Sequence, residues 1–213
     1  MTYEGMRIRI NKIKRKIFAK IRKKHLKKLD FTIISNNCWG GMIYESYDLP
    51  KLSPTVGLFF MAKDYIKFVS NLKYYLDLEL DFIDISESKY KDWDGFKKST
   101  INYPIGRLQD IELFFMHYKS REEALEKWNR RKKRVNYDNL IVKFNDSNLC
   151  TYEDLLLFDN LPYEKKFCFS VKKYPEFKSV VTIKAPKKHN SIMYSYEPFG
   201  RNSYIDLIEV INR

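Results

Sequence analysis

The sequence predicts an α/β domain: a layered α/β/α arrangement on a mostly parallel or mixed sheet, preceded by a basic N-terminal helix. Three observations carry this. Short β-rich runs alternate several times with stretches of helical periodicity. The chain has 213 residues, 44% of them hydrophobic and 16% aromatic, enough for a sizeable core. Its charge is uneven: residues 1–30 hold twelve Lys/Arg against Glu4 and Asp30, whereas the rest is nearly balanced within an overall charge of +13. Residues 1–30 are therefore read as a helical extension and residues 31–213 as one domain.

The extension has its own period. Ile10, Ile13, Ile17 and Ile21 recur at 3–4 residue spacing, with Phe18 beside them and Lys or Arg between. A basic amphipathic helix of this kind suits an anionic membrane surface through residues 7–28, where each nearby cation contributes about 1 kcal/mol. The alternative is a stripe packed on the body or on a second subunit, because periodicity does not say what a stripe packs against. Nucleic acid is the poorer third reading, since the body lacks a basic surplus.

Phe31–Ser35 reads as a buried strand, followed by a loop Ser35-Asn-Asn-Cys-Trp-Gly-Gly41. Val56–Met61 is a second apolar run. Ala62–Leu76 has helical spacing, and Leu80–Ile85 is a strand candidate. Ser86–Thr100 is a polar excursion. Ile111–Tyr118 reads as a strand, and Ser120-Arg-Glu-Glu123 is a capping-box pattern opening a helix to about Arg134. Leu140–Phe144 is the next strand. Thr151-Tyr-Glu-Asp154 starts another helix, and Phe167–Val171 and Val180–Ile183 close the series.

No apolar run reaches the roughly 18–20 residues that span a bilayer, and Lys and Arg interrupt the first thirty residues throughout, so no signal-peptide core is present. A cytoplasmic protein, peripheral at the inner membrane face, is expected. Cys38, Cys150 and Cys168 suggest neither a disulfide framework nor a zinc pattern.

In open α/β sheets, ligands bind beyond the carboxyl ends of the strands. That rule selects Asn36, Asn37, Trp39, Gly40 and Gly41 as substrate-binding candidates, with Cys38 as a candidate nucleophile. A buried structural thiol and a plain Gly-Gly turn are the competing readings. His117, after the fourth strand candidate, is a candidate proton shuttle or a hydrogen-bonded structural histidine. Lys119 precedes a helix N-terminus suited to an anion. Asp146, after the fifth strand, is a catalytic candidate or a turn aspartate. Arg107 suits phosphate or a surface ion pair. Asp92-Trp-Asp94 has a metal-transferase spacing, but fourteen aspartates yield about one such pair by chance. Lys187-Lys-His-Asn190 reads as a solvated turn, and Arg130–Arg134 as a basic last helical turn. No cofactor and no metal-ligand set is singled out.

Ser35–Gly41, Ser53-Pro-Thr-Val-Gly-Leu-Phe-Phe60, Asp64-Tyr-Ile-Lys-Phe68, Tyr103-Pro-Ile-Gly106 and His117-Tyr-Lys-Ser120, with Glu123-Ala124 and Lys127-Trp128, follow in order. This set resembles an uncharacterised bacterial family (domain of unknown function, DUF nineteen-nineteen) whose members carry exopolysaccharide or capsular polysaccharide biosynthesis labels. The likeness runs from about Phe31 to about Val171 and leaves out the basic extension. It implies an α/β fold and a role in making a surface glycan. The expectation is a transferase taking a sugar-nucleotide or acyl donor and a glycan acceptor. The alternative is a non-catalytic glycan-binding or assembly partner of the same machinery.

Overall fold

The computed structural model describes residues 3–97, 101–186 and 189–213. The chain forms two sheets rather than one. Strands β1 (Thr32–Ser35), β5 (Leu140–Asn145), β6 (Lys166–Ser170) and β7 (Val180–Thr182) pair in that order, all parallel. Strands β2 (Asp81–Ile83), β3 (Ile105–Leu108) and β4 (Ile111–Phe114) form an antiparallel meander. Period-2 alternation looks alike in both sheets, so pattern alone could not divide them.

That alternation sorts the core. Ile33, Ile141, Phe167 and Phe169 point to one face of the parallel sheet, where helix α3 (Trp39–Ser46) and helix α9 (Leu207–Asn212) cover them. Ile34, Val142, Phe144 and Cys168 point to the other face. There they meet α4 (Ala62–Ser70), α5 (Leu72–Asp77), α7 (Arg121–Lys132), α8 (Tyr152–Asp159) and one side of the meander. The meander's far side has a small core of Phe59, Ile83, Phe96, Ile105 and Phe114, with α6 (Asp94–Lys97) contributing Phe96. Helices therefore flank the parallel sheet on both faces, the expected α/β layering. Tyr65 ties β1 to β5, its hydroxyl lying 2.8 Å from the carbonyls of both Ile34 and Lys143.

Several local expectations change. The loop read to Gly41 ends at Cys38, because α3 starts at Trp39 and includes Gly40 and Gly41. A Cβ on Gly40 would lie 3.0 Å from Ser35 Oγ and 3.1 Å from Ile33 Cγ2, and one on Gly41 would lie 3.0 Å from Val56 Cγ1. Gly40 lets the helix sit close on β1, and Gly41 lets it sit close on Val56. Val56–Met61 is not a strand; it crosses between the sheets and makes a single antiparallel bridge, Phe59 to Phe114. Gly57 turns there at φ +85° against the Tyr118 ring. The helix expected over Ala62–Leu76 is two helices broken at Asn71.

The caps behave as their chemistry requires. Ser120 Oγ accepts the Glu123 amide at 3.2 Å, while the Glu123 carboxylate accepts from Lys119 N instead of the cap. Thr151 and Asp154 complete a reciprocal box at 3.3 and 2.9 Å. The polar excursion holds a short 3-10 turn (Ile85–Glu87) and α6; its residues 98–100 lie outside the described residues, as do Lys187 and Lys188 of the basic turn. No helix among the described residues is long and apolar enough to cross a membrane.

The basic extension forms α1 (Tyr3–Ile17) and α2 (Ala19–Lys23). It packs on the body through its polar side. Arg7 Nε and Asn11 Nδ2 donate to the Ser195 carbonyl at 3.0 and 3.1 Å, and Arg15 pairs with Glu45 at 3.0 Å. Arg22 donates to the Ser46 carbonyl at 3.0 Å.

Candidate functional site

The parallel register brings the carboxyl ends of β1 and β5 side by side, with Ser35 opposite Lys143. Residues 141, 143 and 145 of β5 face the α3 side. Two of those positions are polar: Lys143 stands where the alternation calls for an apolar side chain. It is fully buried beneath Trp39 and Phe169, its ammonium 5.9 and 5.8 Å from their ring centres. A buried ammonium requires a counter-charge and acceptors. Glu197, also fully buried, supplies the charge in a direct ion pair, and Asn37 Oδ1 accepts from Lys143 Nζ at 3.1 Å.

The network extends across the strand ends. Asn37 Nδ2 donates to both Glu197 oxygens at 3.1 Å, and Asn145 Nδ2 donates to one at 2.9 Å. Asn36 Nδ2 donates to Asn145 Oδ1 at 2.8 Å, leaving Asn36 Oδ1 buried with no hydrogen-bond partner. Asn37 Oδ1 also accepts the Trp39 amide at 3.0 Å, fixing the first turn of α3. Burial lowers the Lys143 pKa, while the Glu197 carboxylate opposes that shift. Burial pushes the partly exposed Cys38 thiol up to about 12, with Glu197 adding and Lys143 opposing. Cys38 is therefore a thiol, not a thiolate, near neutral pH.

A strap of residues 192–199 closes this edge. It provides Glu197, and its Pro198 carbonyl accepts the Trp39 indole N–H at 2.7 Å. Asp146 anchors it: one oxygen accepts Ile192 N at 2.6 Å, the other accepts Ser170 Oγ and Val171 N at 2.7 and 2.8 Å. The outer side of the strap takes the extension, with Arg7 stacked 4.3 Å over Tyr196 and Arg15 and Arg22 near Phe199.

Asn36, Asn37, Cys38 and Asp146 thus meet at one edge. Trp39 joins them as a core residue, edge-on to Phe167 and Phe169, and Gly40 and Gly41 as packing positions. The others belong to the meander side. His117 is exposed in the turn after β4, where its amide donates to Gly57 O of the crossing segment; that segment in turn bonds the edge through Phe60 N to Asn36 O. Desolvation and nearby Lys51 lower the His117 pKa. Arg107 pairs across strands with Asp81 at 3.4 Å. Lys119 lines a cleft of about 390 Å³ with Tyr103 and Arg121, away from the cluster. A wider groove of about 860 Å³ runs between the extension and residues 195–208, lined by Arg7, Arg22, His25, Tyr47 and Tyr204. Asp92 and Asp94 lie at the start of α6, and among the described residues no three His, Cys, Asp or Glu side chains are grouped as metal ligands.

Lys143 and Glu197 were not among the sequence candidates. A lysine in the middle of the apolar run Leu140–Phe144 was the available signal for the first. Nothing local marked Glu197.

Fold and site together define an α/β protein with a buried amide, ammonium and carboxylate cluster at the carboxyl edge of its parallel sheet. The chain belongs to the family described as Domain of unknown function (DUF1919), which matches residues 9–212. It is similar to an "Uncharacterized protein" of Haemophilus influenzae, 31% identical over 211 residues and covering 98% of this chain and 96% of that one. The family therefore takes in most of the basic extension and all of the strap, both outside the stretch that the sequence likeness covers.

Proposed function

We propose that the chain is a group transferase in bacterial surface-polysaccharide biosynthesis, taking a sugar-nucleotide or acyl donor and a glycan acceptor at the β1–β5 edge. In this reading the protein is cytoplasmic and works at the inner membrane face. The observation that carries it is the convergence of Asn36, Asn37, Asn145, Lys143 and Glu197 where open α/β sheets hold their ligands. A lysine of lowered pKa beside a carboxylate is a group able to hold an anionic donor or exchange a proton. Asn36 Oδ1 is an acceptor available to a donor hydroxyl or N–H. Asp146 already spends one oxygen on the strap and the other on Ser170 and Val171, so proton transfer falls to His117 or Lys143. Because the strap covers the cluster and supplies Glu197, donor entry requires it to shift.

The test is a panel of sugar nucleotides and acyl-coenzyme A thioesters scored by thermal shift, together with glycan output from cells carrying Asn37→Ala and His117→Ala. A stabilising donor and reduced glycan in both variants are expected. No shift with any donor and undiminished glycan would overturn the reading.

A second reading, a non-catalytic assembly partner, is favoured by one observation: Lys143 and Glu197 have no solvent exposure. The cluster is then a clamp for the strap. Capture of the synthesis machinery that survives Asn37→Ala and His117→Ala supports this second reading.

A further inference from the structure

Amphipathic helices on globular proteins bury their apolar stripe. The extension does the reverse. Tyr3, Met6, Ile10, Ile13, Ile17 and Ile21 are 44–66% exposed. The face turned to the body is the row Arg7, Asn11 and Arg15, spaced four residues apart, which holds the Ser195 carbonyl, Glu45 and Met42 Sδ. The helix α1 is thus fixed by polar contacts and its apolar stripe is presented outward, with Lys14 and Ile21 lining the groove beside the strap.

The cations around that stripe are placed consistently. At about 3.6 residues per turn, Arg9 and Lys16 fall on one flank of the stripe and Lys14 on the other. Lys14 and Lys16 are exposed, as are Lys20 and Lys24 further on. Among the described residues, the ion pairs of the extension are Arg15 with Glu45 and Lys23 with Asp48. Among the described residues, the flanking cations have no ion-pair partner.

We propose that this outward face docks on an anionic lipid bilayer, with the stripe in the headgroup boundary and the flanking Lys and Arg on lipid phosphates. A second copy fits poorly: two stripes set face to face would bring cation against cation, with no acidic side chain between Gly5 and Leu29 to relieve them. A polyphosphate would satisfy the cations and leave six apolar side chains in water. An anionic bilayer takes both, as basic amphipathic helices lying in the interface do. The inference stands whether or not a transfer reaction occurs at the β1–β5 edge.

The experiment uses the full chain and vesicles of phosphatidylcholine alone or mixed with phosphatidylglycerol, read by co-sedimentation. Binding to the mixed vesicles is expected to exceed that to the neutral ones by about tenfold or more and to fall as salt rises. Ile13→Ser with Ile17→Ser, and Lys14→Gln with Lys16→Gln, are each expected to weaken it by at least about tenfold. Neither pair should lower the melting temperature, since none of these side chains bonds to the body. Equal partition on both vesicle types would overturn the proposal, as would serine variants that bind like the native chain. So would light scattering in which the serine variant turns a dimer into a monomer, or duplex DNA that strips the protein from vesicles at matched salt. Any of these outcomes leaves the donor-panel result unaffected.

Discussion

At the residue scale, Lys143 and Glu197 are the most demanding groups in the fold. Two ions removed from water are tolerated only while each answers the other and the neighbouring amides complete the set. Lys143→Met alone, or Glu197→Leu alone, is expected to destabilise the protein by about 3–5 kcal/mol, because each strands a buried charge. The double variant should lose much less than the two single losses combined. Urea unfolding of the three variants checks this, and simple additivity would show that the two groups are not coupled. His117 gives a milder, pH-dependent effect. Its folded pKa lies below the ordinary 6.5, so between the two values the unfolded chain binds more protons. Stability is therefore expected to fall as pH drops through that window and to be retained above it. The loss should be small, because the side chain is exposed, and it should vanish in His117→Gln when melting temperature is followed against pH. The sequence exposed part of this site. Asn36 and Asn37 follow from the strand-end rule, and Lys143 is visible as a charge inside an apolar run. Glu197 is not, because its partner lies 54 positions away with no periodicity linking them.

At the scale of elements, α3 shows how a correct composition can mislead. A Gly-Gly pair after a strand reads as a turn, yet here both glycines are helical and serve close packing. Gly40→Ala sets two effects against each other. Alanine favours the helix by about 1 kcal/mol, but overpacking typically costs about 1–3 kcal/mol. Ile33 is fully buried, and Ser35 Oγ is held by the Asn37 carbonyl at 2.7 Å and the Gly40 amide at 3.2 Å, so neither neighbour can move aside cheaply. A net loss of about 1 kcal/mol is expected in urea unfolding; a gain would mean that the helix–strand contact relaxes freely. The caps at Ser120 and Thr151 were legible because their chemistry is local. The stripe of α1 was legible as a stripe, but its outward direction depends on what Arg7, Asn11 and Arg15 find on the body, and those partners are spread from Met42 to Ser195.

At the scale of the whole molecule, the α/β class was legible from alternation, and the division into two sheets was not. β3 was overlooked because Tyr103-Pro-Ile-Gly-Arg107 carries a proline and a glycine that argue against a strand, and its antiparallel neighbours β2 and β4 are what make it one. The crossing segment, apolar enough to resemble a strand, is instead the join between the sheets. Both errors come from pairing partners, which no local pattern displays.

Part of the seat of α1 is the strap, and that has a bearing on the order of events at the ribosome. The helix is synthesised long before the Ser195 carbonyl, Tyr196 and Phe199 that help to hold it. Until then Arg15 can reach Glu45 and Met42, but Arg7 and Asn11 lack the Ser195 carbonyl and Lys143 has no countercharge. One segment, the strap, therefore completes both the hold on α1 and the buried ion pair.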